Sequence, residues 1–296
     1  MNKFYTGFSV IFALVLTSCD SSNSEAPEPY GPIPSEEQLA WYDMEMNAFI
    51  HFTINTFTDK EWGYGDESPE LFNPTNLDTD QWMSTLKDAG FSGAILTAKH
   101  HDGFALWPSE YTDHDIAASP YKDGKGDLVK EVSQSAKKYG LEFGVYLSPW
   151  DRNRADYGEP SYVDYYRDQV TELFTGYGPI FEMWFDGANG GDGYYGGANE
   201  ERKIDRETYY NWPKTIAMAK EIQPQVLFFS DAGPDLRWVG NERGIGGETH
   251  WNTISTDTLY AGKSDIGDIL QNGSPDGKNW VPAEVNTSIR PGWFYH

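Results

Sequence analysis

The chain has 296 residues, 39% of them hydrophobic and 23% charged, the composition of a globular protein with room for one large domain or two small ones. With 46 acidic against 22 basic residues the formal net charge is −24, which argues against a nucleic-acid partner and against a strongly acidic sugar as substrate. Aromatics make up 16%, with 11 Trp and 19 Tyr; a large aromatic core accounts for this, and so does a pocket whose rings cover the apolar faces of a sugar.

The N-terminus reads "MNKFYTGFSVIFALVLTSCD". Lys3 opens it, and the apolar run from Phe8 to Leu16 is too short to span a bilayer, the pattern of an export leader. Its end, "LTSC", resembles a bacterial lipobox, and Cys19 is the only cysteine, so it has no partner for an intramolecular disulfide. Residues 1–19 are therefore expected to be a lipoprotein signal peptide, with Cys19 as the lipidation site. Residues 20–38, polar and proline-bearing, are expected to be a flexible tether, leaving 39–296 as the domain. The membrane enters only through that lipid anchor, and the protein is expected in the periplasm or on the cell surface.

Short apolar runs then alternate with helical stretches. Strand candidates are "MNAFIHF" (46–52), "GAILTAKH" (93–100), "FGVYLSP" (143–149), "IFEMWFD" (180–186) and "VLFFSD" (226–231), with "ETHWNT" (248–253) and "WVPAEV" (280–285) as weaker ones. Between them, "DTDQWMSTLKDAG", "DLVKEVSQSAKKYG", "SYVDYYRDQVTELF" and "WPKTIAMAKEIQP" have helical patterning, and three of the four end at Gly or Pro. This alternation implies βαβ units and a parallel sheet. No Gly-rich phosphate loop follows the first strand, which weighs against an open dinucleotide-binding sheet. Polar residues collect at strand C-termini, namely His51, His100, Tyr146, Asp186 and Asp231, which is where barrel enzymes keep their chemistry. The expected fold is an α/β (β/α)8-type TIM barrel. Seven strand candidates at most precede the final "GWFYH", so the barrel is expected to be incomplete at its C-terminus.

In "MWFDG" (183–187) side chains alternate, so Trp184 and Asp186 share one face while Met183 and Phe185 take the other. That places a carboxylate and an indole together at a barrel mouth, although an Asp capping the next turn would read the same way. In "AKHHDGF" (98–104) the adjacent His100 and His101 both reach a pocket only if the strand stops there. Adjacent histidines suit a divalent metal less well than His-x-His, and hydrogen bonding to hydroxyls is the better use. His51, in "FIHF", reads by default as a core histidine. "EWGYG" (61–65) and "GVYLSPW" (144–150) add Glu61, Trp62, Tyr146 and Trp150, each a weak signal alone.

Taken together and in order, "HF", "EWGYG", "KHHDGF", "GVYLSPW", "MWFDG", "RWVGNE" and "SIRPGWF" resemble the α-L-fucosidases of glycoside hydrolase family 29, from about residue 40 to the end of the chain. The resemblance implies a retaining exo-α-L-fucosidase without cofactor or metal, acting on a fucosylated oligosaccharide or glycoconjugate. It makes Asp186 the nucleophile and assigns His51, His100, His101 and Tyr146 to fucose hydroxyls. Trp184 and Trp293 line the pocket, and Glu61 and Trp62 join the substrate-binding set. The "RWVGNE" segment resembles the branch selective for α-1,3/1,4-linked fucose and makes Glu242 the acid/base, with Glu248 in "GGETHW" and Glu284 as rivals. The β-sandwich that usually follows the family's barrel is not expected within residues 39–296. Two other readings stay open: a metal-dependent barrel hydrolase using His51, His100, His101 and Asp186, and a non-catalytic lipoprotein that binds fucosylated glycans.

Overall fold

The computed structural model describes residues 26–239, 242 and 245–296. The expected leader, Cys19 and the start of the tether lie outside them. Among the described residues no helix is long and apolar enough to cross a membrane.

The compact unit runs from Gly31 to His296. Its first helix, α1 (Glu36–Met44), is set by a capping box in which Ser35 and Gln38 satisfy each other's backbone N–H groups. The expected tether–domain boundary at residue 38 therefore falls inside a helix. Gln38 also donates to the carbonyls of Asp235 (2.8 Å) and Trp280 (3.0 Å), which pins α1 to the barrel.

Seven strands form one sheet, every neighbouring pair of them parallel: β1 (Asn47–Ile50), β2 (Gly93–Lys99), β3 (Glu142–Leu147), β4 (Glu182–Trp184), β5 (Leu227–Ser230), β6 (Leu236–Trp238) and β7 (Ala283–Glu284). They lie side by side in chain order, so the sheet curls as a half-barrel. The crossover helices are α2 (Thr79–Asp88), α3 (Leu128–Tyr139), α4 (Pro160–Gly176) and α5 (Trp212–Ile222). In α3, Asp127 caps the start, Gly140 ends the helix at φ +67°, and Leu128, Val129, Val132 and Ala136 form the buried stripe.

Strand alternation divides the core into two clusters. Outward side chains such as Val145, Met183, Phe185 and Phe228 pack with the helices, Phe185 stacking on Trp212 of α5 with centroids 4.3 Å apart. Inward ones, Ile95, Tyr146, Trp184, Leu227, Phe229 and Leu236, fill the barrel. Trp184 thus faces inward and its neighbours Met183 and Phe185 outward, as the period-two spacing of "MWFDG" requires.

One strand expectation needs correction, and one barrel strand lies outside the expected set. "ETHWNT" (248–253) supplies no barrel strand; Thr253–Ile254 instead pairs antiparallel with Asn279–Trp280. The sixth barrel strand is β6, which starts six residues beyond the end of β5. A parallel connection normally takes a dozen residues or more. Here a turn does it, with Gly233 at φ +101° and Asp235 Oδ2 accepting from the N–H of Phe228 at 2.9 Å.

Candidate active site

A pocket of about 280 Å3 opens where the strands end, close to the lower end of the range for small-ligand sites. Successive strands deliver its walls: Phe49 of β1 and His51 just past it, His100 and His101 after β2, Tyr146 from β3, and Trp184 of β4 with Asp186 and Gly187 just past it. Asp231 after β5, Trp238 at the end of β6, Glu242 beyond it, Asn286 after β7 and Trp293 close the ring, with Trp62 on a loop.

Asp186 is held firmly. Its Oδ1 accepts from the Ala188 N–H at 2.7 Å and its Oδ2 from the Tyr146 hydroxyl at 3.0 Å, while 27% of its side chain stays accessible. His101 Nε2 lies 3.9 Å from the same Oδ2, beyond hydrogen-bond reach. The glycine that follows is dictated by packing, since a Cβ on Gly187 would come within 2.7 Å of Asp231 Oδ2.

The paired histidines both line the pocket because the regular strand stops at Lys99, whose own side chain leaves on the outer face to meet Asp151 (3.0 Å) and Gln169 (2.7 Å). Their ring centroids are 4.1 Å apart. Burial pushes His101 down to about 4, His51 down to about 3 and His100 well below the usual imidazole range, so all three are neutral at pH 7. His51 stacks on Trp293 at 5.4 Å and meets Phe49 at 4.4 Å. Burial, with the charge of Asp186 adding to it, pushes Tyr146 well above the usual phenol range, so its hydroxyl keeps the proton it donates to Asp186. Trp184 stacks on Phe229 at 4.3 Å, which fixes the indole as the floor.

Not every expected residue sits in the wall. Glu61 instead holds the C-terminal segment, accepting from the backbone N–H groups of Trp293 and Phe294 and meeting His296 at 3.0 Å. It therefore reaches the pocket only through the placement of Trp293. Glu242 lines the pocket, whereas Glu248 is exposed and is not part of the wall. Glu284 lies behind the wall, where its Oε1 accepts from Asn286 at 2.5 Å and its carboxyl meets that of Glu182, the first residue of β4. Burial raises both carboxyls above the usual range, and the charge of Glu284 adds to the rise at Glu182. Glu182 Oε2 accepts from the indole of Trp41 at 2.9 Å. Trp150 packs behind His101, centroids 5.2 Å apart, and its carbonyl accepts from Ser148.

Three wall residues carry little signal in the sequence. Asp231 has only its strand-end position; burial pushes it up to about 6 while both its oxygens accept from the Gly262 N–H at 3.1–3.2 Å. Trp238 ends a three-residue strand that no sequence pattern marks, and Asn286 follows β7, whose two residues lie within the weaker candidate "WVPAEV". Among the described residues no group of three or more His, Cys, Asp or Glu side chains is arranged to hold a metal ion.

The alpha-L-fucosidase family model matches residues 25–257. Alpha-L-fucosidase 1 of Arabidopsis thaliana is 44% identical over 301 aligned positions, which take in all of this chain and 57% of the plant protein. The crystal structure of a glycoside hydrolase 29 family member from an unknown rumen bacterium superposes with a TM-score of 0.87 at 56% identity, over 91% of this chain and 48% of that one. A Ruminococcus gnavus GH29 fucosidase in complex with fucose superposes with a TM-score of 0.78 at 34% identity, over 93% and 59%. The chain thus spans about half the length of these relatives. With the family model covering most of it, the chain belongs to the alpha-L-fucosidase family, glycoside hydrolase family 29.

Proposed function

We propose that the protein is a retaining exo-α-L-fucosidase that removes terminal α-1,3/1,4-linked L-fucose from glycans by double displacement. The observation that carries this is the convergence of Asp186 and Glu242 on one pocket of about 280 Å3 whose other walls are neutral histidines and indoles. A neutral monosaccharide suits such walls, with apolar ring faces against Trp184 and Trp293 and hydroxyls toward His51, His100 and His101.

Asp186 attacks the anomeric carbon with the oxygen free of its tightest hydrogen bond, and the glycosidic C–O bond breaks. Glu242 gives its proton to the departing oxygen. It then takes a proton from water as that water attacks the same carbon and releases Asp186. Retention needs the two carboxyls about 5–5.5 Å apart. The Ala188 N–H and the Tyr146 hydroxyl keep Asp186 aimed throughout. Glu242 stands exposed on the segment after β6, where it can reach the departing oxygen of a bound aglycone.

Incubation with an aryl α-L-fucoside and with α-1,2- and α-1,3/1,4-linked fucosyl trisaccharides tests this reading. Free fucose should appear from the aryl and α-1,3/1,4 substrates, with the α-anomer formed first by NMR. First-formed β-fucose would refute retention, and no release from any substrate would refute the activity. We also propose export as a lipoprotein anchored through Cys19. Replacement of Cys19 by Ala should move the protein from the membrane fraction to the soluble one.

A further inference from the structure

Each of the adjacent histidines has its Nδ1 engaged by a fully buried side chain. His101 Nδ1 lies 2.7 Å from Ser148 Oγ, and His100 Nδ1 lies 3.4 Å from Asn55 Nδ2. A neutral imidazole carries one N–H, so the partner at Nδ1 decides which nitrogen faces outward bare and which faces outward as a donor.

The two partners demand opposite answers. Ser148 has a single hydroxyl hydrogen, and its oxygen is 2.7 Å from the carbonyl of Trp150, which can only accept. That hydrogen goes to Trp150, so Ser148 Oγ receives one from His101. Nδ1 of His101 is then protonated and its Nε2, 3.9 Å from Asp186, is bare. At His100 an amide nitrogen stands opposite Nδ1, and an amide nitrogen only donates, so Nδ1 accepts and Nε2 carries the hydrogen. The amide is placed with Nδ2 toward His100, and its Oδ1 faces the backbone of Gly63, where a Cβ would lie 2.6 Å from Asn55 Oδ1 and from Asp102 Cβ and 3.0 Å from Glu67 Oε2.

We propose that Ser148 and Asn55 are positioning residues that lock His101 and His100 in opposite neutral tautomers, so that the pocket presents an acceptor and a donor side by side to two neighbouring hydroxyls of one sugar. This rests on reading the pocket as a fucose site. The wrong tautomer at either ring would set donor against donor or acceptor against acceptor in a dry site, a mismatch worth roughly 10- to 100-fold in kcat/KM. One histidine alone cannot offer both groups while neutral with Nδ1 bonded inward. The pair can.

The test reads the tautomers directly. Of the chain's 6 histidines, labelled with 15N, His101 should show a protonated Nδ1 and His100 a protonated Nε2 in long-range proton–nitrogen spectra at pH 7, with assignments from His100→Gln and His101→Gln. The same tautomer at both positions, or an imidazolium at either, overturns the proposal whether or not the protein turns over any fucoside. Asn55→Asp, which replaces the donor by an acceptor of equal size, should move the hydrogen of His100 to Nδ1 and cost about 10- to 100-fold in kcat/KM. Ser148→Thr should keep the His101 tautomer, and Ser148→Ala should lose it. An unchanged tautomer in both Asn55→Asp and Ser148→Ala removes the positioning role.

Discussion

Asp186→Asn isolates charge from shape at the proposed nucleophile. The amide oxygen can take over the 2.7 Å bond from Ala188, and the amide nitrogen can donate to the Tyr146 hydroxyl at 3.0 Å, so the contacts that aim the side chain persist. Two bonds to a charged group become neutral ones, a change of about 1 kcal/mol each, partly offset because a carboxylate with 27% accessibility no longer needs hydrating. At about 2–4 °C per kcal/mol for a domain of this size, the melting temperature should move by only a few degrees. The reaction, by contrast, loses its nucleophile. A drop of at least about 1000-fold in kcat on an aryl α-L-fucoside is expected, or roughly 4 kcal/mol of activation free energy. Fucose binding by calorimetry should survive within a few fold. Near-normal turnover in a folded variant would refute the assignment. Joint loss of binding and of several kcal/mol of stability would refute it differently, by making Asp186 a structural cap.

Glu242→Ala should lose far more activity on oligosaccharides than on an activated aryl fucoside, and azide should rescue the aryl reaction to give a fucosyl azide of retained configuration; Glu248→Ala should show neither effect. If the pattern appears at Glu248 or at Glu284, that residue is the acid/base. EDTA should leave the rate unchanged, and a chelator-sensitive enzyme would revive the metallohydrolase reading. Asp231, raised to about 6, stays protonated in the native state where the unfolded chain has released its proton, so its stabilising contribution is complete below its unfolded value near 4 and is lost as pH rises through 6. Asp231→Asn mimics the protonated form and should gain on the unmodified protein in melting temperature between pH 4 and pH 7; a constant difference would contradict the burial argument.

How much of this was legible in the sequence depended on distance along the chain. The first five barrel strands are marked by apolar runs and the four crossover helices by a 3.6-residue stripe, three of them ended by a Gly or Pro in the sequence pattern. Both signals are local, and they place His51, His100, Tyr146, Asp186 and Asp231 at strand ends. β6 escaped because its three residues, Leu236–Trp238, follow β5 through a turn that the usual length of a parallel crossover disallows. α1 escaped because its residues, polar on most sides, are held by tertiary bonds from Gln38 and Trp41 rather than by a hydrophobic stripe.

The site divides along the same line. Residues on a strand or one step past it announce themselves through alternation, and "WFDG" does so twice, since the glycine is required by the closeness of Asp231 and Gly262. Residues that act through a partner elsewhere in the chain leave no such trace. Glu61 looks like a pocket residue because it neighbours Trp62, yet its carboxylate is spent on backbone 232 positions away, at Trp293. Ser148 and Asn55 look like ordinary loop residues, and only the contact of each with a histidine 47 or 45 positions along the chain gives them a role. What the sequence withholds is the second layer, because a hydrogen bond's direction is fixed by whatever else its partner must satisfy. For His101 that requirement is the carbonyl of Trp150, reached through one hydroxyl, and no spacing in "GVYLSPW" states it.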